Sequence, residues 1–140
     1  MEDQKELVLQ RLENLFKNLD SGFTRDKYLE LCEQMGNEPI EEEIPPDWED
    51  FPDIVVYAIN TFNMMGDKVY PEIGYTGKDY TNLSHYLDLY EIQDTEYFLQ
   101  LLSWLDSRAI QRSSDEIQKA HQKAKRQASG GKRNKTHITG

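Results

Sequence analysis

At 140 residues, 37% hydrophobic and 30% charged, the chain has the length of one domain but a lean supply of core residues. Its formal charge of −10 sets the whole-molecule field against polyanions, and its single cysteine, Cys32, excludes an internal disulfide and a thiolate zinc cluster. No apolar run approaches the roughly 18 residues of a membrane span, and the start MEDQKELVLQ lacks the basic flank and apolar stretch of a signal peptide, so a soluble, cytoplasmic protein without membrane contact is expected.

In chain order, Glu6 to Leu19 predicts an amphipathic helix with Val8, Leu12, Leu15, Phe16 and Leu19 on one face. Gly22 ends it, and Thr24 is suited to cap a second helix, Arg25 to Met35, closed by Gly36. The two form a helical hairpin spanning residues 1–36. Asp20 to Glu33 lacks the alternating carboxylates before a glycine that a calcium loop needs. Cys32, among Tyr28, Leu29, Leu31 and Met35, reads as a small buried hydrophobe.

Residues 37–52 predict a linker. From Glu38 to Asp53 there are eight acids, no base and four of the five prolines, which favours an extended chain. One reading is a solvated connector. A second is a docking strip anchored by Ile44, Trp48 and Phe51, and a third, least favoured because adjacency does not make oxygens converge, is a divalent-metal site.

Residues 53–118 predict a helical core. Pro52 starts a helix bearing Ile54, Val55, Ala58, Ile59, Phe62 and Met65, with Asp50 as its cap and Gly66 as its end. Asp67 to Asp79 reads as a glycine-containing loop. Its Gly77-Lys78 fails as a phosphate-binding loop, because Glu72 stands where a glycine is required and Asp79 where a hydroxyl is. A short helix bearing Leu83, Tyr86, Leu87 and Tyr90 follows, with His85 expected to be partly buried. Asp94 or Thr95 then caps a long helix that carries Phe98, Leu101, Leu102, Leu105 and Ala109 on one face.

Charge divides the chain. All 26 acids lie at or before Glu116, so the part through Gln118, with nine basic residues, carries −17. Residues 119–140 carry +7, from Lys119, Lys123, Lys125, Arg126, Lys132, Arg133 and Lys135, and are expected to form a basic, disordered tail: past Ile110 the helix can run on only as an exposed polar extension, and from Ser129 the composition is that of a disordered end. The tail lacks an aromatic for base stacking and the overall field opposes polyanions, so charge-guided contact with the chain's own acidic linker or with an acidic partner protein is favoured over nucleic acid. Catalysis is not expected. The histidines at 85, 121 and 137 have no serine or cysteine constellation around them, and the linker carboxylates have no apolar pocket to separate their pKa values. Neither a cofactor nor a resident metal is implied.

Trp48, Phe62, Gly74, Gly77, Asp79, Tyr80, Leu83, Leu87 and Leu105 trace a pattern: an aromatic opening an amphipathic helix, a loop ending Gly-x-x-Gly-x-Asp-Tyr, and a leucine-rich helix pair. Over Trp48 to Ile110 the chain resembles small helical tail assembly chaperones of tailed bacteriophages. The resemblance implies an all-α fold and non-catalytic binding to a tape-measure or other virion protein, in the host cytoplasm. Ile44, Trp48, Phe51, Tyr75, Asp79 and Tyr80 are the expected protein-binding residues. A structural component that stays in the particle and a small regulator using its basic tail on nucleic acid are the alternatives. The expected fold is thus a small all-α bundle with a helical hairpin, an acidic Pro-rich linker and a basic tail.

Overall fold

A computed structural model describes the backbone of residues 2–139 and the side chains of residues 4–129. The chain divides into two compact units, Met1–Val56 and Tyr57–Gly140.

In the first unit, α1 (Glu2–Ser21) buries Leu12 and Leu15. Leu19, on the same expected face, is exposed. Helix α2 (Arg25–Met35) has the predicted bounds. Thr24 Oγ1 accepts from the Lys27 N–H at 3.3 Å, and Gly36 adopts φ 72° while the Asn37 N–H closes on the Cys32 carbonyl at 2.9 Å. No residue of α2 is buried, and Cys32 is half-buried.

The acidic stretch is not extended as expected, although its acids are exposed apart from half-buried Asp47. It folds into two single-turn 3₁₀ helices, Glu41–Glu43 and Trp48–Asp50, and belongs to the first unit. Arg25 is the reason. Its Nε donates to the Pro45 carbonyl at 3.2 Å and its guanidinium pairs with Asp50, drawing a proline-rich acidic chain onto α2. The Tyr28 hydroxyl accepts from the Ile40 N–H at 3.1 Å. Trp48 meets Phe16 edge-on at 6.1 Å and Phe51 at 6.4 Å. Asp50 caps this local turn through the Asp47 N–H at 2.9 Å, a role different from the expected cap of the next helix.

Helix α3 (Asp53–Met64) crosses the boundary between the units and buries Val55 and Ala58, with Met65 buried just beyond its end. The second unit corrects the all-α expectation. Asp67–Tyr70 (β1) and Gly74–Lys78 (β2) pair antiparallel, with a bulge between Lys68 and Val69, where the sequence reading had a loop. The period-two signal is short, and glycines interrupt it at the bulge and the turn, so apolar alternation could not reveal it. Helices remain the bulk of the fold. Helix α4 (Leu83–Leu89) presents His85 to solvent, against its expected partial burial, with its ring edge-on to Tyr86 at 5.6 Å. Asp94 Oδ1 accepts from the Tyr97 N–H at 3.1 Å and so caps α5 (Thr95–Thr139), in which Phe98, Leu101, Leu102 and Leu105 are buried.

Helix α5 runs on as the exposed extension that its polar composition allows, and departs from expectation where a disordered end is expected from Ser129. The backbone stays helical through Thr139, and residues 118 to 129 are all exposed. Ala120, Ala124 and Ala128, spaced among Lys, Gln and Arg, are strong helix formers that carry the helix on.

Candidate functional site

The densest polar construction in the second unit is centred on Asp106. This residue continues the buried stripe of α5, one turn beyond Leu102, and is itself buried. A carboxylate in that position needs donors. The Tyr75 hydroxyl donates to Oδ1 at 2.5 Å, the Tyr80 hydroxyl to Oδ2 at 2.9 Å, and the backbone N–H of Lys78 to Oδ2 at 3.2 Å. Burial and then the bond to Asp106 raise the pKa of both phenols: Tyr80 is pushed up to about 12, and Tyr75 rises more. Both hydroxyls therefore remain protonated donors at neutral pH.

Glycine permits this approach. Gly77 holds φ at 135°, and a Cβ there would stand 3.3 Å from Asp106 Oδ2. Gly74 holds φ at 87°, and a Cβ would come within 2.5 Å of Ile117 Cδ1 and 3.0 Å of Ser113 Oγ. Ser113 Oγ also accepts from the Tyr75 N–H at 3.3 Å. Strand β2 thus lies on α5 by backbone and tyrosine donors, with no room for a side chain at two of its five positions.

Lys78 is the second buried charge in this region. Its Nζ pairs with Asp67 Oδ1 at 2.6 Å, donates to the Met65 carbonyl at 3.3 Å and stands 4.5 Å above the Phe62 ring. These contacts bind the start of β1, the end of α3 and β2 together. They also engage the ammonium that a phosphate-binding loop would leave for its ligand.

The expected protein-binding residues are placed differently from one another. Tyr75 and Tyr80 converge on Asp106, while Asp79 is exposed and accepts from the Thr81 N–H at 3.0 Å. A bond from the Thr81 hydroxyl, and then the one from its N–H, lower the Asp79 pKa. Tyr80 is 37% exposed, so it works as a tether that reaches Asp106 from the surface. In the first unit Phe51 is buried, whereas Trp48 and Ile44 are half-buried. Lys119, Lys123, Lys125 and Arg126 lie on the exposed turns of α5, and Lys132, Arg133 and Lys135 fall outside the described side chains. Among the described residues no group of three or more His, Cys, Asp or Glu is placed to hold a metal, and no helix is long and apolar enough to cross a membrane.

Sequence reasoning missed Asp106 and Lys78. For Asp106 a signal existed: a charged residue directly in line with Leu102 on an otherwise apolar face must find partners or be excluded from the core.

The first unit offers a different surface. On α2, Leu31 and Met35 stand one turn apart and exposed, Met35 at 70%, and Phe23 and Ile40 at either end are exposed as well. Elsewhere in this unit a groove of about 770 Å³ is lined by Leu29, Ile44 and Pro46 together with Glu41, Glu42 and Arg11. Compared with known proteins, the chain matches no family model, no curated protein and no solved structure.

Proposed function

We propose that the protein is a non-catalytic assembly factor that grips another protein through the uncovered apolar face of α2. The observation that carries this reading is a helix in which no residue is buried, although Leu31 and Met35 sit on one face of it. Exposed apolar side chains grouped in this way, beside Phe23 and Ile40, suit an interface, and methionine adapts to varied partners. The acidic segment beside α2 would keep such a surface soluble while it is empty.

Within that class, the resemblance over Trp48 to Ile110 favours a phage tail assembly chaperone whose client is a tape-measure or another virion protein. Co-purification with tagged protein from infected cells tests both levels. A long helical client should be recovered by the parent and lost with Leu31→Asp/Met35→Asp. Recovery undiminished by those changes overturns the assignment to α2. Mass spectrometry of purified particles should find the protein absent, and its presence would favour a structural virion component. The exposed basic turns of α5 support a second reading, a regulator bound to nucleic acid. Gel-shift of the full chain against a chain ending at Gln118 decides it, since that reading requires binding that disappears with the basic residues.

A further inference from the structure

Helix α5 continues past the hairpin it holds. Beyond Ile117, which lies over Gly74, every residue from Gln118 to Ser129 is exposed, and at 1.5 Å per residue these turns reach roughly 18 Å further. Such a stretch has little to stabilise it in water unless something covers it. Lys119, Lys123, Lys125 and Arg126 have no ion pair among the described residues. Ala120 and Ala124 share one face, flanked by Lys123 on one side and Lys125 on the other.

The groove of the first unit has the opposite character. Leu29, Ile44 and Pro46 supply an apolar lining, and Glu41 and Glu42 are exposed beside them without an ion-pair partner among the described residues. Of its two cations, Arg25 is already held by Asp50 and the Pro45 carbonyl, which leaves Arg11 as the opposing charge. The surrounding stretch from Glu38 to Asp53 adds further acids and no base.

We propose that the basic arm of one copy docks in the acidic groove of a second copy. Each copy brings both halves of the contact: an uncovered helix with a small-residue face between two lysines, and a groove with an apolar lining beside two glutamates. Small residues let a helix approach a surface at about 8 Å, the short end of interhelical spacing, and the flanking ammonium groups then reach the carboxylates. A polyanion is the weaker occupant, because the −17 carried by residues 1–118 repels it while the same charge attracts a second arm. The contact uses the groove and not the Leu31–Met35 face, so it stands apart from client binding and is testable without a client.

Sedimentation velocity on the full chain at roughly 50 mM and 500 mM salt reads the prediction directly, since exposed charges are screened at the higher value. At low salt the mass should rise above the monomer's 16.4 kDa, returning to it at high salt. Lys123→Glu/Lys125→Glu and Glu41→Lys/Glu42→Lys should each weaken association at least tenfold. All four positions are exposed, and unchanged circular dichroism would verify the fold of both variants. Mixing the two should restore association, because each reversed arm then meets a reversed groove. A full chain that is monomeric at low salt overturns the proposal, as does association that either variant leaves intact or that mixing fails to restore. A change in mass seen only when heparin is added would also overturn it and assign the arm to polyanions.

Discussion

Replacing Asp106 by alanine strips one acceptor group from three donors at once. The Lys78 N–H is buried, and leaving it unsatisfied costs about 1 to 3 kcal/mol. The Tyr75 hydroxyl, part-buried at 2.5 Å from the carboxylate, adds about 1 kcal/mol. The Tyr80 hydroxyl is at a more open position, where water can take the place of the carboxylate, and adds little. Against these losses stands relief from holding a carboxylate away from water. The expected net cost is therefore about 2 to 3 kcal/mol, a fall in Tm of roughly 5 to 10 °C for a chain of this size. Urea unfolding measures it. Trp104 fluorescence in a Trp48→Phe background reports the second unit, because these are the two tryptophans of the chain. Asp106→Asn, which keeps one acceptor oxygen, should cost less. A change under about 0.5 kcal/mol for Asp106→Ala would refute the hub, being the scale of an ordinary surface substitution. So would a Tyr75→Phe effect of the same size in the parent and in Asp106→Ala, since two part-buried groups joined by one hydrogen bond must couple.

Three further outcomes follow from the same geometry. The phenols of Tyr75 and Tyr80 have folded pKa values above the unfolded value near 10, so their contribution is complete below about pH 10 and is lost as pH rises through the folded values, about 12 for Tyr80; absorbance at 295 nm should show a late-titrating group of tyrosines, raised Tyr28 and Tyr97 among them, that Tyr75→Phe and Tyr80→Phe each reduce and urea abolishes. Gly74→Ala should destabilise by about 2 kcal/mol, from its positive φ and the clash with Ile117, and adding Ile117→Ala should recover only the part due to the clash, as denaturant midpoints will show. Arg25→Ala should free the stretch from Glu38 to Asp53, read as at least severalfold faster cleavage there by a glutamate-specific protease, with α2 retaining its helicity by circular dichroism.

The long helices were legible because their signals repeat. Leucines at three- and four-residue spacing placed α1 and α5, and Thr24 with Gly36 fixed the bounds of α2. What escaped was set by single long-range partners. Arg25 folds the acidic segment from 20 and 25 residues away, and Asp106 orders the hairpin from 26 to 31 residues away. Neither link leaves a periodic trace. The acidic stretch reads as solvated because its charges outnumber everything near them in sequence, yet one guanidinium and the Trp48 contacts with Phe16 and Phe51 suffice to fold it. In sequence the glycines at 74 and 77 read as loop residues, whereas their physical purpose is to bring a strand against a helix.

That division of labour along α5 predicts where the chain can be shortened. Asp106, Ser113 and Ile117 all engage the hairpin, whereas nothing from Gln118 to Ser129 is even half-buried. At high salt, where an arm seated in a second copy is released, a chain ending at Gln118 should therefore keep the Tm of the parent within about 2 °C, because it loses exposed helix and no packing. Ending at Arg112 removes Ser113 Oγ from the Tyr75 N–H and Ile117 from above Gly74, and frays the last turn beneath the hairpin. That chain should lose about 2 kcal/mol, as one hydrogen bond and one half-buried isoleucine disappear together, and the amides of Gly74 to Lys78 should exchange faster while those of Phe98 to Leu102 hold. Equal stability in the two truncations would mean that Asp106 alone secures the strand. At low salt the same truncation should also remove whatever stability the seated arm contributes, and a large loss at Gln118 that persists at high salt would refute this division of α5.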